Sequence, residues 1–244
     1  MSDATPDDPP PGPPTIDLAA LVHYDREVRE GTARAILDGF GTYGLVYIED
    51  HGVDLALRDR LFARFLELTD RPREDKEPLN RPDLWFQRGW TPPNTERAVA
   101  AGGQPDFKEC YFAAPLPTDP EAQLEYPQLY ADNVWPEGKD GVELREDTLT
   151  LGRQLHEAGL ALLSGVALGL GLHERWFDNR LGGAAHVLRL LRYLPLSEAQ
   201  LSEDVLWGEE HTDFNLLTLL AGGCFFDPDG GRRPRRTRRA GCSC

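Results

Sequence analysis

His211-Thr212-Asp213 leads directly into the apolar run Phe214–Leu220, and no histidine follows it before Cys244. On a strand, residues i and i+2 share a side, so His211 and Asp213 would converge while Thr212 turns away. A neutral imidazole beside a carboxylate is two-thirds of the facial ligand set that holds non-haem Fe(II), the missing third being a second histidine. The spacing alone also fits a histidine and a cap-like aspartate at the start of a strand. On both readings the run asks for a sheet that begins late in the chain.

The segments before it read mainly as helix. A short edge strand at Thr15–Leu18 precedes a helix from about Asp25 to Asp38, and Leu45–Ile48 reads as a buried strand. Asp54 can cap a helix running to Thr69, whose Leu57, Leu61, Phe65 and Leu68 recur at helical spacing. The stretch 71–136 is rich in proline, glycine and charge, which predicts a surface path with short strands such as Lys108–Ala113. A long helix over Glu143–Leu170, a shorter one near Glu174–Arg180, and strands at Val187–Leu194 and His211–Leu220 complete an α+β order. The apolar stretch Leu160–Leu172 is interrupted by Ser164, Gly165, Gly169 and Gly171. It is too short to cross a bilayer and reads as buried helix.

Apolar residues make up 40% of the chain and aromatic residues 9%, enough to bury a core. The net charge is −15 although six arginines crowd the last fourteen residues, so the remainder is more acidic still. Such a body argues against nucleic acid or an anionic membrane as main partner. Cys110, Cys224, Cys242 and Cys244 make no metal-type pair and too sparse a set for a disulfide framework, which points to a reducing, cytoplasmic setting. Residues 1–14 are acidic and proline-rich, and are expected to form a flexible leader rather than a signal peptide. Oligomeric state is not legible.

The segment 231–244 breaks with the rest: Arg232-Arg233-Pro234-Arg235-Arg236-Thr237-Arg238-Arg239 contains no apolar residue. A solvated basic tail, a nucleic-acid or localisation patch, and a product of reading-frame slippage after about Gly230 are three accounts of it. The last is favoured, because more sheet is expected there. Gly39-Phe40-Gly41-Thr42-Tyr43-Gly44 spells a dinucleotide fingerprint, but that motif must follow a strand and open a helix. Here the glycines follow a helix and feed a strand, so helix termination and tight turns explain them better.

Several pieces in order resemble the isopenicillin N synthase-like branch of the Fe(II)/2-oxoglutarate-dependent oxygenases. They are Ile16-Asp17-Leu18; Gly39-Phe40-Gly41 with Gly44–Ile48 running into His51-Gly52-Val53; Arg88-Gly89-Trp90 with Asp106-Phe107-Lys108-Glu109; Asn133-Val134-Trp135-Pro136; Leu188–Pro195; and His211–Phe214 with Leu217–Leu220. The similarity covers roughly residues 15–228.

The resemblance implies a helical and mixed region over 15–136, then over 137–230 a helix and the first strands of a double-stranded β-helix, or jelly roll. It makes His211 and Asp213 the first two iron ligands. Tyr193 matches a tyrosine that holds a 2-oxoglutarate carboxylate in many members, although a half-buried strand aromatic explains it equally well. Leu194 stands where the family usually has proline. His51 belongs to a structural turn, while His23, His156, His173 and His186 match no ligand position. The implied activity is oxidation of a small organic substrate by O₂, coupled to decarboxylation of 2-oxoglutarate, with Fe(II) as cofactor. The distal histidine and the Arg-x-Ser element that clamps the far carboxylate of 2-oxoglutarate have no counterpart in these 244 residues. The chain is therefore expected to be impaired. The alternative is a non-catalytic oxygenase relative acting as a binding or regulatory protein.

Overall fold

Asp25, Asp54 and Asp119 each turn a carboxylate back onto the first free backbone N–H groups of a helix. In the computed structural model, which describes residues 12–95, 107–198 and 215–226, these caps open α1 (Arg26–Tyr43), α2 (Leu55–Thr69) and α4 (Pro120–Glu125). Between α2 and α4 lie the short α3 (Arg73–Lys76) and the strands β3 (Gly89–Thr91) and β4 (Lys108–Ala113). The long α5 (Gly138–Gly169), the short α6 (Asp178–Leu181) and β5 (Leu188–Tyr193) follow. β1 (Thr15–Asp17) and β2 (Tyr47–Glu49) form a parallel pair beside α1, and β3-β4-β5 form an antiparallel sheet. The architecture is α+β with two open sheets.

Helix α1 runs through Gly39 and Gly41, which the sequence pattern places past its end. Only Gly44 terminates it, in the left-handed conformation at φ 71°. Gly39 answers to packing instead: a Cβ there would lie 2.4 Å from Val46 and 2.8 Å from Pro14. β2 is half-buried rather than fully buried, because Val46 and Ile48 face the core while Leu45 and Tyr47 face water. The 71–136 stretch is also more than a surface path. β3 is buried throughout and β4, the central strand, is buried at five of its six positions.

The apolar run expected as a strand over His211–Leu220 is not one in its described part. Leu217 joins the cluster of Ile36 with Ala158 and Leu162 of α5, and Leu219 comes close to Gly159 of the same helix. Arg58 donates to the Ala221 carbonyl at 3.1 Å. Among the described residues no strand pairs with this run; Leu217 and Leu219 are half-buried, while Leu216 and Leu220 stay exposed. His211–Phe214 lie outside the described residues.

α5 joins the parts. Its Asp147 accepts from two Arg60 nitrogens at 2.9 Å and from Arg64 Nε at 2.8 Å, and Glu143 takes the other side of Arg64. Burial pushes the Asp147 carboxyl up, but the hydrogen bonds from Arg60 and Arg64 outweigh it and hold the group below the usual range. Further along, Gly165 lets α1 approach: a Cβ would lie 2.6 Å from Ile36 Cδ1 and 2.9 Å from Leu21 Cδ2. No helix among the described residues is long and apolar enough to cross a membrane. Gly165→Val should therefore overpack the crossing and cost about 1–3 kcal/mol. At about 2–4 °C per kcal/mol, a thermal melt would show a several-degree loss.

Candidate functional site

Trp90 of β3 pairs with Tyr111 of β4, which pairs with Leu190 of β5. All three side chains are buried in one cluster with Leu57, Leu61 and Phe65 of α2 and Leu144 and Leu151 of α5. One face of the sheet is thus committed to the helices. By alternation Thr91, Cys110, Phe112, Arg189, Leu191 and Tyr193 fall on the other.

Buried polar contacts hold the strands in place. Lys76 Nζ donates to the Thr69 carbonyl at 2.7 Å and to Glu109 Oε1 at 2.8 Å, and stands 4.8 Å from the Trp90 ring centre. Glu109 faces Arg192 across the strands, and Arg192 Nη1 donates to Thr69 Oγ1 and Asp70 Oδ1, each at 2.7 Å. The end of β5 is thereby tied to the end of α2. Arg88, fully buried, donates to the carbonyls of Gln87, Leu129 and Ala131 at 2.7–2.9 Å, and burial pushes its guanidinium down. Gly89, at φ 77°, lies so close to the Leu79 carbonyl that a Cβ would meet it at 2.2 Å. Asn133 bonds both backbone groups of Ala114, and the Tyr111 hydroxyl donates to the Val134 carbonyl. Burial pushes the Tyr111 phenol well above its ordinary value, so it stays a neutral donor.

His186, two residues before β5, stacks edge-on against His156 of α5 with ring centres 4.8 Å apart. Its Nε2 meets the Leu181 carbonyl at 3.1 Å. Burial, then His186, push the His156 imidazole down.

The segments that build this sheet and its supports are also those shared with known proteins. Residues 13–138, just over half of the chain, match the family of the N-terminal region of the non-haem dioxygenase in morphine synthesis. The chain belongs to the Fe(II)/2-oxoglutarate-dependent oxygenases. It is 25% identical over 211 residues to a leucoanthocyanidin dioxygenase of Malus domestica, covering 86% of this chain and 55% of that protein. It is 26% identical over 218 residues to an isopenicillin N synthase of Streptomyces jumonjinensis, covering 85% and 64%. The fold is shared with a full-length Neurospora crassa protein solved in complex with alpha-KG, at a TM-score of 0.68 and 24% identity over 82% of this chain and 60% of that one. This oxygenase chain spans about half the length of leucoanthocyanidin dioxygenases that it matches.

Of the site residues read from the sequence, Tyr193 ends β5 on the outward face, opposite Lys108 and 43% exposed. His211 and Asp213 lie outside the described residues. Among the described residues no group of three or more His, Cys, Asp or Glu side chains could hold a metal ion. His51 caps its own turn, its Nδ1 accepting from Val53 N at 3.0 Å, and His23 and His173 do likewise for Asp25 and Arg175. The Lys76–Glu109 pair escaped sequence reading because Lys76 sits in Arg71-Pro72-Arg73-Glu74-Asp75-Lys76-Glu77, which looks like a solvated face.

Two outcomes follow from these contacts. Lys76→Met should lose about 3–5 kcal/mol in urea unfolding by stranding a buried carboxylate. Lys76→Met/Glu109→Leu should regain most of that loss. His156, whose folded value is lowered, contributes stability that is present above the ordinary histidine value of about 6.5 and lost as pH falls through the folded value. Thermal melts should therefore decline between about pH 7 and 5, and His156→Gln should flatten that decline.

Proposed function

We propose that the chain forms the cofactor-facing wall and supplies the first two iron ligands of an oxygenase that oxidises a small organic molecule with O₂ and 2-oxoglutarate. The observation that carries this reading is the register of β3-β4-β5, which turns Tyr193 away from the helix core. In this reading the sheet is the start of a jelly roll. His211 and Asp213 hold the metal, and their neutral imidazole and carboxylate are a donor set that suits Fe(II).

When bound, Fe(II) and 2-oxoglutarate supply oxidation of a substrate C–H bond, with the oxo acid leaving as succinate and CO₂. The chain's own residues place and shield. The Tyr193 hydroxyl donates to a carboxylate of 2-oxoglutarate. Leu191, two residues before Tyr193 on the same face, would add an apolar contact that helps to keep water from the reacting centre. The ties from Arg192 and Lys76 to the end of α2 hold the strand end that carries Tyr193.

Anaerobic calorimetric titration with Fe(II) tests the assignment. Binding that falls at least about tenfold in both His211→Ala and Asp213→Ala is expected. Equal binding in wild type and both variants would remove the iron reading.

A further inference from the structure

His156 and His186 match no ligand position of the family, yet the fold brings their rings together. His156 lies on α5 one turn beyond Gly152, where a Cβ would meet Pro115 Cβ at 2.3 Å and Leu188 Cδ1 at 3.5 Å. That close packing sets the start of β5 against α5, and His186 stands two residues before Leu188. The turn after α6 fixes His186 further. Gly183 turns the chain at φ 73°, Ala184 N donates to the Leu181 carbonyl at 3.2 Å, and His186 N donates to the Ala184 carbonyl at 2.8 Å. The Leu181 carbonyl also meets His186 Nε2 at 3.1 Å. An imidazole that gives its Nε2–H to a carbonyl keeps Nδ1 as the lone-pair nitrogen, the arrangement usual in metal-binding histidines. No hydrogen bond occupies the His156 ring nitrogens among the described residues. With its pKa pushed below the ordinary histidine value, that ring is neutral near pH 7 and its lone pair is available. Both rings are half-buried, so a hydrated ion can reach them.

The ring centres are 4.8 Å apart and the ring planes 68° apart. A metal about 2.1 Å from an imidazole nitrogen lies about 3.2 Å from the centre of that ring. Two imidazoles on one ion are then about 4.5 Å apart at a right angle and about 5.2 Å apart at the tetrahedral angle. The observed separation falls between these. Among the described residues no third His, Cys, Asp or Glu completes the set. Two nitrogens therefore suit an ion that keeps several waters, as Ni(II) and Cu(II) do in octahedral or tetragonal sites, better than a closed structural zinc site with four protein ligands.

We propose that His156 and His186 bind one divalent ion of the nickel–copper type, each through one imidazole nitrogen, with water in the remaining positions. The site ties α5 to the approach to β5 and shares no residue with the iron assignment.

The test uses Ni(II) as the probe. Calorimetric titration of the full chain should show a binding event that weakens at least about tenfold in H156Q and in H186Q and persists in His211→Ala. The ring-proton resonances of His156 and His186 should broaden together at substoichiometric Ni(II), before those of His23 and His173. The same titration curve in wild type and both glutamine variants would overturn the proposal. So would an event lost in His211→Ala but kept in H156Q, or broadening that spares either ring. Should one glutamine variant fail to fold, the other variant and the ring broadening in wild type still decide. The iron reading is judged on His211→Ala and Asp213→Ala, so its failure leaves this result standing.

Discussion

Trp90 and Tyr111 lie side by side under α2 and α5, and their burial decides which way every side chain of the sheet points. A strand has a period of two, so a register slip of one residue would carry Thr91, Cys110 and Leu191 into the helices and expel the aromatic pair. The surrounding polar contacts guard against that slip. Lys76 is pinned between the Thr69 carbonyl, Glu109 and the Trp90 ring, and the Tyr111 hydroxyl reaches the Val134 carbonyl. The buried ion pair is better understood as a fixer of register than as a source of net stability, because desolvation consumes most of its attraction.

The same constraint links fold to chemistry. α5 meets α2 through Asp147 and α1 through Gly165, and the sheet lies on the surface that α2 and α5 make together. What remains is one sheet face with a cation over an aromatic ring at one end, a tyrosine at the other and a mainly apolar row between.

Much of this was legible in the sequence where the signal is local. The Asp54 cap and the helical spacing of Leu57, Leu61, Phe65 and Leu68 mark α2, and the strand-like stretches over 108–113 and 187–194 mark β4 and β5. Other features depend on partners far along the chain. Gly39 and Gly41 look like a helix end because glycine is costly inside a helix, yet at Gly39 the close approach of Val46 and Pro14 outweighs propensity. Lys76 looks solvated until Glu109 is folded over it. The leucines at 217 and 219 carry no sign of whether a strand or a helix will cover them. In the described residues α5 does. Tyr193 could be named from its motif, but its placement opposite Lys108 needed the strand register.

The central claim is that the sheet face turned away from the helices faces the metal. Paramagnetic broadening in the Mn(II)-loaded chain measures this directly, since Mn(II) accepts the same nitrogen and oxygen donors as Fe(II). Leu191 and Leu190 are neighbours in sequence on opposite faces of β5, so their methyl resonances form an internal control. The account predicts that the Leu191 methyls broaden on Mn(II) addition while the Leu190 methyls stay sharp. Equal broadening of the two, or broadening of Leu190 alone, would contradict it.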